Sequence, residues 1–129
     1  MAVTVNKELS RIFDCTAQVL ELLGVNRFRV LAFQRASRAL DDQTEDVTAL
    51  AQGENALKLL TAIDGVGKGI AERIIEYVKT GKIQEHEKVV SQVPAGLIPI
   101  LDIPGLGPKT VALLWKKADV QSLDDLKAK

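Results

Sequence analysis

Apolar residues recur along this chain at three- and four-residue steps, the spacing that gathers them on one face of a helix. Leu9, Ile12, Phe13, Thr16, Val19, Leu20 and Leu23 form the first such stripe, and Gly24 is its expected stop. A second helix is expected from Asn26 or Arg27, with Phe28, Leu31, Ala32, Ala36, Ala39 and Leu40 on its buried side. Thr44 with Val47 and Leu50 predicts a short third helix, capped by Thr44. Leu57, Leu59 and Leu60 lead into a glycine cluster. Ile70, Ala71, Ile74, Ile75 and Val78 then define a helix closed at Thr80–Gly81. A helix over Lys82 to Val93 follows, and Pro94 and Pro99 bracket a short helical turn inside an expected hinge, Val89–Ile100. Helices from about Pro108 to Lys117 and from Ser122 onward complete the chain, Pro108 suiting a first helical position. No segment alternates as a strand does, so the predicted fold class is all-α. Phe13, Phe28, Tyr77 and Trp115 sit at helical apolar spacings and read as core residues.

The chain also repeats itself at an offset of 40 residues. Ile63-Asp64-Gly65-Val66-Gly67 corresponds to Ile103-Pro104-Gly105-Leu106-Gly107. Each cluster follows an apolar stretch, Leu59-Leu60 or Ile100-Leu101, and opens a helix beginning Lys68-Gly69 or Pro108-Lys109-Thr110. One Gly-x-Gly is weak, whereas two copies in the same context are informative. Glycine permits positive φ and close approach of another backbone. A helix opening there points unpaired N–H groups and the positive end of its dipole outward, an arrangement that binds phosphate. Lys68 and Lys109 add a Coulomb term. Contacts of this kind reach backbone phosphates and not base edges, so binding should be indifferent to sequence. A Rossmann site is excluded because a helix precedes the glycines, and the Walker Gly-x4-Gly-Lys-Ser/Thr pattern is absent.

Charge refines this picture. The 129 residues carry 17 Lys+Arg and 17 Asp+Glu, a formal net charge of zero. The signs are segregated: Arg27, Arg29, Arg35 and Arg38 fall in an acid-free stretch, and Asp41, Asp42, Glu45, Asp46 and Glu54 in a base-free one. A neutral total excludes a long electrostatic wrap along a duplex and leaves room for a small footprint on a few phosphates. One Cys and one His exclude a disulfide framework and a Cys/His zinc site. No apolar run approaches membrane-span length, and MAVTVNKELS lacks the regions of a signal peptide, which makes a cytoplasmic location the default. Asp41-Asp42 and Asp124-Asp125 are adjacent pairs that diverge on helices, so they are poor two-metal ligands. His86, within Glu85-His86-Glu87, is expected on the solvated surface.

The two glycine clusters with their flanking helices resemble helix-hairpin-helix motifs, at about 57–78 and 97–117. Asn26-Arg27-Phe28-Arg29-Val30-Leu31-Ala32-Phe33-Gln34-Arg35-Ala36-Ser37-Arg38-Ala39-Leu40 resembles the second helix of the N-terminal domain of family X DNA polymerases. Thr80-Gly81-Lys82-Ile83 and Val120-Gln121-Ser122-Leu123-Asp124-Asp125-Leu126 fit the same family, in the same order, over about residues 6–127. The resemblance implies a small helical bundle over 1–90 carrying the first hairpin, and a second hairpin subdomain over 91–129. It implies a monomer that binds gapped or nicked DNA at the 5′-phosphate, as the N-terminal part of a DNA repair polymerase. The phosphate-backbone contacts carried over fall at Gly65, Val66, Gly67, Lys68 and Gly69, and at Gly105, Leu106, Gly107, Lys109 and Thr110. The 5′-phosphate pocket falls at Arg29, Phe33, Lys68 and Arg73. No cofactor is required, although the family's hairpins can hold Na+ or K+ through main-chain carbonyls, here those of Thr61, Ile63, Val66, Leu101, Ile103 and Leu106.

The chain departs from the family at informative places. The lysine with which some members form a Schiff base falls at Arg73, whose guanidinium stays protonated and is a very poor nucleophile. Another phosphate-binding lysine falls at Glu85, reversing the charge, and a tyrosine falls at Phe33. Phosphate binding is therefore expected to be kept and 5′-deoxyribose phosphate lyase chemistry lost, with no catalytic residue assigned. Two alternatives remain: a lyase using another amine such as Lys68, and a protein-interaction module without DNA affinity. The polymerase carboxylates of the family would lie beyond residue 129. The chain stops after the second hairpin and its following helix, which suits either a piece of a polymerase or a stand-alone protein.

Overall fold

The computed structural model describes residues 5–24, 27–43, 46–101, 103 and 105–128. Helices follow one another: α1 Val5–Leu23, α2 Arg27–Asp42, α3 Val47–Ala51, α4 Ala56–Thr61, α5 Lys68–Thr80, α6 Gln84–Val90, α7 Leu97–Leu101, α8 Pro108–Ala118 and α9 Leu123–Ala128. Among the described residues there is no strand, and the fold is all-α.

Helix α1 is the axis of the bundle. It lies along α2 and meets α6, α7 and α8 on its other sides. Leu9, Phe13, Ala17 and Leu20 are buried along it, each large side chain worth about 1.5–3 kcal/mol in removal from water. Three buried polar side chains on α1 are all hydrogen-bonded, as burial demands. Asn6 donates to the Gln43 carbonyl (3.3 Å) and accepts from the Val47 amide (2.9 Å), so it supplies a partner for the first turn of α3. Ser10 and Ser37 exchange bonds across the α1–α2 seam: Ser10 Oγ donates to the Ser37 carbonyl (2.9 Å) and Ser37 Oγ to the Ser10 carbonyl (2.8 Å). Thr16 Oγ1 bonds both the Ile12 carbonyl and, at 2.7 Å, Nδ1 of His86.

That seam sets the rotation of α2 differently from the sequence expectation. Val30, Phe33, Ala36, Ser37 and Leu40 are buried, whereas Phe28 is 83% exposed and Ala32 faces solvent. The helix carries two overlapping apolar stripes. Packing of Phe33 on Phe13 (ring centroids 5.8 Å apart) and the Ser10–Ser37 exchange favour the second. Tyr77 and Trp115 are half-buried and Phe13 is fully buried. The cap of α3 is Asp46, whose carboxylate accepts from the Thr48 amide at 2.8 Å; Thr44 lies outside the described residues.

Two helix boundaries also moved. Gly81 closes α5 in the left-handed region (φ 82°) and buried Ile83 is extended, so α6 begins only at Gln84, whose amide is held by the Glu76 carboxylate (3.0 Å). Pro99 lies inside α7 and does not bound it; in the first turn its missing N–H has no intrahelical partner to lose. His86 is half-buried against α1 and not on the solvated surface. Burial holds its imidazole below the usual 6.5, the nearby Glu87 opposing the shift.

Candidate nucleic-acid interface

The two glycine turns have the same backbone. Gly65 and Gly105 both have positive φ, at 94° and 88°. Gly67 and Gly107 both cap their helices in extended conformation, with no side-chain hydrogen bond to the helix start. The hydrogen bonds match at the 40-residue offset. Ile63 N–H bonds the Leu60 carbonyl and Ile103 N–H that of Ile100, both at 3.1 Å. Val66 and Leu106 bond Ile63 and Ile103 (3.0 and 3.1 Å), and Ala71 and Val111 bond Gly67 and Gly107 (2.9 and 3.0 Å). Without a capping side chain, the first amides of α5 and α8 are left to solvent or to a ligand. Val66 is buried and anchors the first turn, and Leu106 is half-buried in the second. Lys68, Gly69, Lys109 and Thr110 are exposed at the helix starts.

Helix α2 lies between the two turns. On one side, Arg29, Ala32, Phe33 and Arg35 line a cavity of about 480 Å³ with Gly65, Val66, Gly67, Gly69, Ile70, Arg73 and Glu85. On the other, Arg27, Val30, Leu31 and Gln34 share a cavity of about 310 Å³ with Glu21, Gly24 and Lys109. The structure thus joins Arg29, Phe33 and Arg73, three of the four residues expected in the 5′-phosphate pocket. Lys68, the fourth, does not line the cavity, because it points from the start of α5 into solvent; Arg35 is there instead. Sequence reasoning included Arg35 in a basic stretch without placing it in the pocket. It also assigned Phe28 to the core, although that ring is exposed beside Arg27 and Arg29.

Glu85 stands between the two pocket arginines. One of its carboxylate oxygens accepts from Arg29 Nη2 and the other from Arg73 Nε, and Arg73 Nη2 is ion-paired with that second oxygen. Arg73 is fixed further by a bond from Nη1 to the Gly69 carbonyl (2.7 Å) and by the face of Phe33, 5.6 Å from its guanidinium carbon. Burial, and then the adjacent Arg29 charge, push the Arg73 guanidinium below its ordinary value. With Arg35, which also lines the cavity, the pocket carries three guanidinium groups against one carboxylate, a net charge of +2. Among the described residues, no three His, Cys, Asp or Glu side chains gather as a metal site, and no helix is long and apolar enough to cross a membrane.

A helix-hairpin-helix domain family model matches residues 4–83, more than half of the chain. The chain belongs to the helix-hairpin-helix domain family. It is 36% identical over 121 residues to the DNA polymerase/3′-5′ exonuclease PolX of Bacillus subtilis, covering 94% of this chain and 20% of that protein. It is 25% identical over 126 residues to the DNA polymerase lambda of Rattus norvegicus, covering 98% of this chain and 20% of that protein. Both relatives are family X polymerases. The chain spans about one-fifth of the length of these curated relatives.

Proposed function

We propose that this chain binds DNA without sequence preference, as the gap- or nick-directed part of a DNA repair polymerase, and performs no chemistry itself. The duplicated turn supports this reading: two helix starts with the same hydrogen bonds, each capped by glycine alone, stand on either side of an arginine-bearing helix. Each turn would take a backbone phosphate on the open amides of α5 or α8, with Lys68 and Lys109 beside them. Arg29 and Arg73 would take the 5′-phosphate of the downstream strand. Both relatives are DNA polymerases, which agrees with this reading.

The first hairpin belongs to a unit over 1–90 and the second to one over 91–129, acting as a monomer. Main-chain carbonyls of Thr61, Ile63 and Val66, and of Leu101, Ile103 and Leu106, are where a monovalent cation would sit. Ile63 and Ile103 each use one carbonyl lone pair on the turn's own N–H, which leaves the second for an ion. Bound Na+ or K+ would add positive charge beside the phosphate. Lyase chemistry through Lys68 has no support from its position outside the cavity, and Arg73 has Nε, Nη1 and Nη2 engaged.

Fluorescence anisotropy on gapped DNA tests the proposal. Two unrelated sequences should bind with equal affinity, and a 5′-phosphate should bind more tightly than a 5′-hydroxyl. The log–log salt slope should be shallow, about −3 for roughly three or four neutralised phosphates. Lys109→Glu should weaken both sequences alike. Equal affinity for the phosphate and hydroxyl ends would refute the pocket. Absence of binding at low salt would refute the function.

A further inference from the structure

The pocket that the proposed function assigns to a 5′-phosphate already holds an anion. Glu85 presents one carboxylate oxygen to Arg29 of α2 and the other to Arg73 of α5. Carboxylate and phosphate satisfy guanidinium donors in the same forked geometry. We infer that Glu85 is the specificity-determining residue of this pocket: an internal competitor that a terminal phosphate must displace. The inference rests on the phosphate-binding reading of the pocket.

The surroundings allow the exchange. The Arg29–Glu85 pair forms a common wall between the cavity of about 480 Å³ and a second of about 410 Å³ lined by Leu20, Leu23, Gln84, Lys88, Val89 and Gln92. Lys88 lies three residues beyond Glu85 on α6, the spacing at which opposite charges pair on a helix surface. A displaced Glu85 side chain therefore has a cation to move to, inside the adjoining cavity. The backbone of α6 need not move, being held by buried Val89, by the Glu76 bond to Gln84, and by the Thr16–His86 bond. A phosphomonoester carries more charge than a carboxylate and brings more acceptor oxygens, so it wins the exchange. A phosphodiester or a hydroxyl end, with less charge to offer, leaves Glu85 in place. Glu85 thereby lowers the affinity for the 5′-phosphate end, which alone must displace it, and sets the size of the phosphate preference.

The test compares wild type with Glu85→Gln on gapped DNA bearing a 5′-phosphate or a 5′-hydroxyl. The amide keeps the size of the side chain and removes the competing charge. The preference for phosphate over hydroxyl should rise about tenfold, the scale of one charge-assisted hydrogen-bonded pair. Adding Arg29→Gln should abolish the gain. A merely structural Glu85 is separated by inorganic phosphate at matched ionic strength: it should raise the melting temperature of Glu85→Gln more than that of wild type. A phosphate preference unchanged by Glu85→Gln, with wild type still favouring phosphate, would overturn the inference alone. No phosphate preference in either protein would overturn the pocket reading beneath it. Should Glu85→Gln fail to fold, the Arg73 Nε–H resonance of wild type carries the test. It should shift on the 5′-phosphate gap and stay on the hydroxyl gap; tight phosphate-dependent binding with that resonance unmoved would overturn the exchange.

Discussion

Replacing Gly65 or Gly105 by alanine perturbs two turns that share one backbone and differ in their surroundings. Both residues have φ near +90°, where an added Cβ costs about 1–2 kcal/mol. That term is common to both sites. At Gly105 the new methyl meets nothing within 4 Å among the described residues. At Gly65 it would stand 3.2 Å from Cβ of Ala39 and 3.3 Å from the carbonyl oxygen of Arg35. Both are on α2, whose seam with α1 is fully packed, so the helix must give by a few tenths of an ångström. Overpacking of this kind adds about 1 kcal/mol or more. Gly65→Ala should therefore lose about 2–4 kcal/mol and Gly105→Ala about 1–2. Urea unfolding followed by far-ultraviolet circular dichroism reads the difference. With an m-value of about 2 kcal/mol per molar, the two midpoints should differ by about 0.5 M or more. A Gly105→Ala loss equal to or greater than that of Gly65→Ala would refute the claim that the first turn is braced against α2.

Three further outcomes follow from the packing. Tyr77 donates to the Glu8 carboxylate at 2.7 Å, and this bond, with some burial, pushes its phenol up to about 12. Its stabilising contribution is full below the ordinary value of 10 and is lost as pH rises from there through about 12. Because the chain has one tyrosine, phenolate absorbance reports it directly; Glu8→Gln should bring the midpoint down, and an unchanged midpoint contradicts the pairing. His86, the one histidine, should titrate below 6.5 by NMR in the folded chain and at the ordinary value in urea. Its contribution is full above 6.5 and is lost as pH falls from there through the lowered folded value, so a folded midpoint at or above 6.5 would contradict its burial. Gly96→Ala should be strongly destabilising in the same urea assay, by about 2 kcal/mol or more, because the added Cβ would clash with the Gln121 carbonyl oxygen. A loss no larger than that of Gly105→Ala would contradict that contact.

The glycine turns were legible in the sequence because their chemistry is local. A Gly-x-Gly between an apolar stretch and a helix start leaves few backbone solutions, and both copies took the same one. Helix existence was legible for the same reason, since the 3.6-residue period is written into one segment at a time. The rotation of α2 was not, because two apolar stripes overlap on it and only contact with Phe13 and Ser10 of α1 selects between them. Gly96 showed no local sign that it admits the Gln121 backbone. His86 looked solvated between two glutamates, and its bond to Thr16 spans 70 residues of sequence. Glu85 was visible as a reversed charge, but its position between Arg29 and Arg73 is a tertiary fact. The neutral charge total takes on a physical meaning here: part of the basic surface is balanced at close range, inside the pocket itself.

The central claim is that both glycine turns take DNA phosphate on the open starts of α5 and α8. An NMR titration of the isotope-labelled chain with gapped DNA tests it most directly. The amides of Lys68, Gly69 and Ile70, and those of Lys109 and Thr110, should shift together and saturate at one equivalent. Saturating shifts confined to other surfaces, such as the α1–α7 cleft around Arg11 and Gln18, would contradict the account.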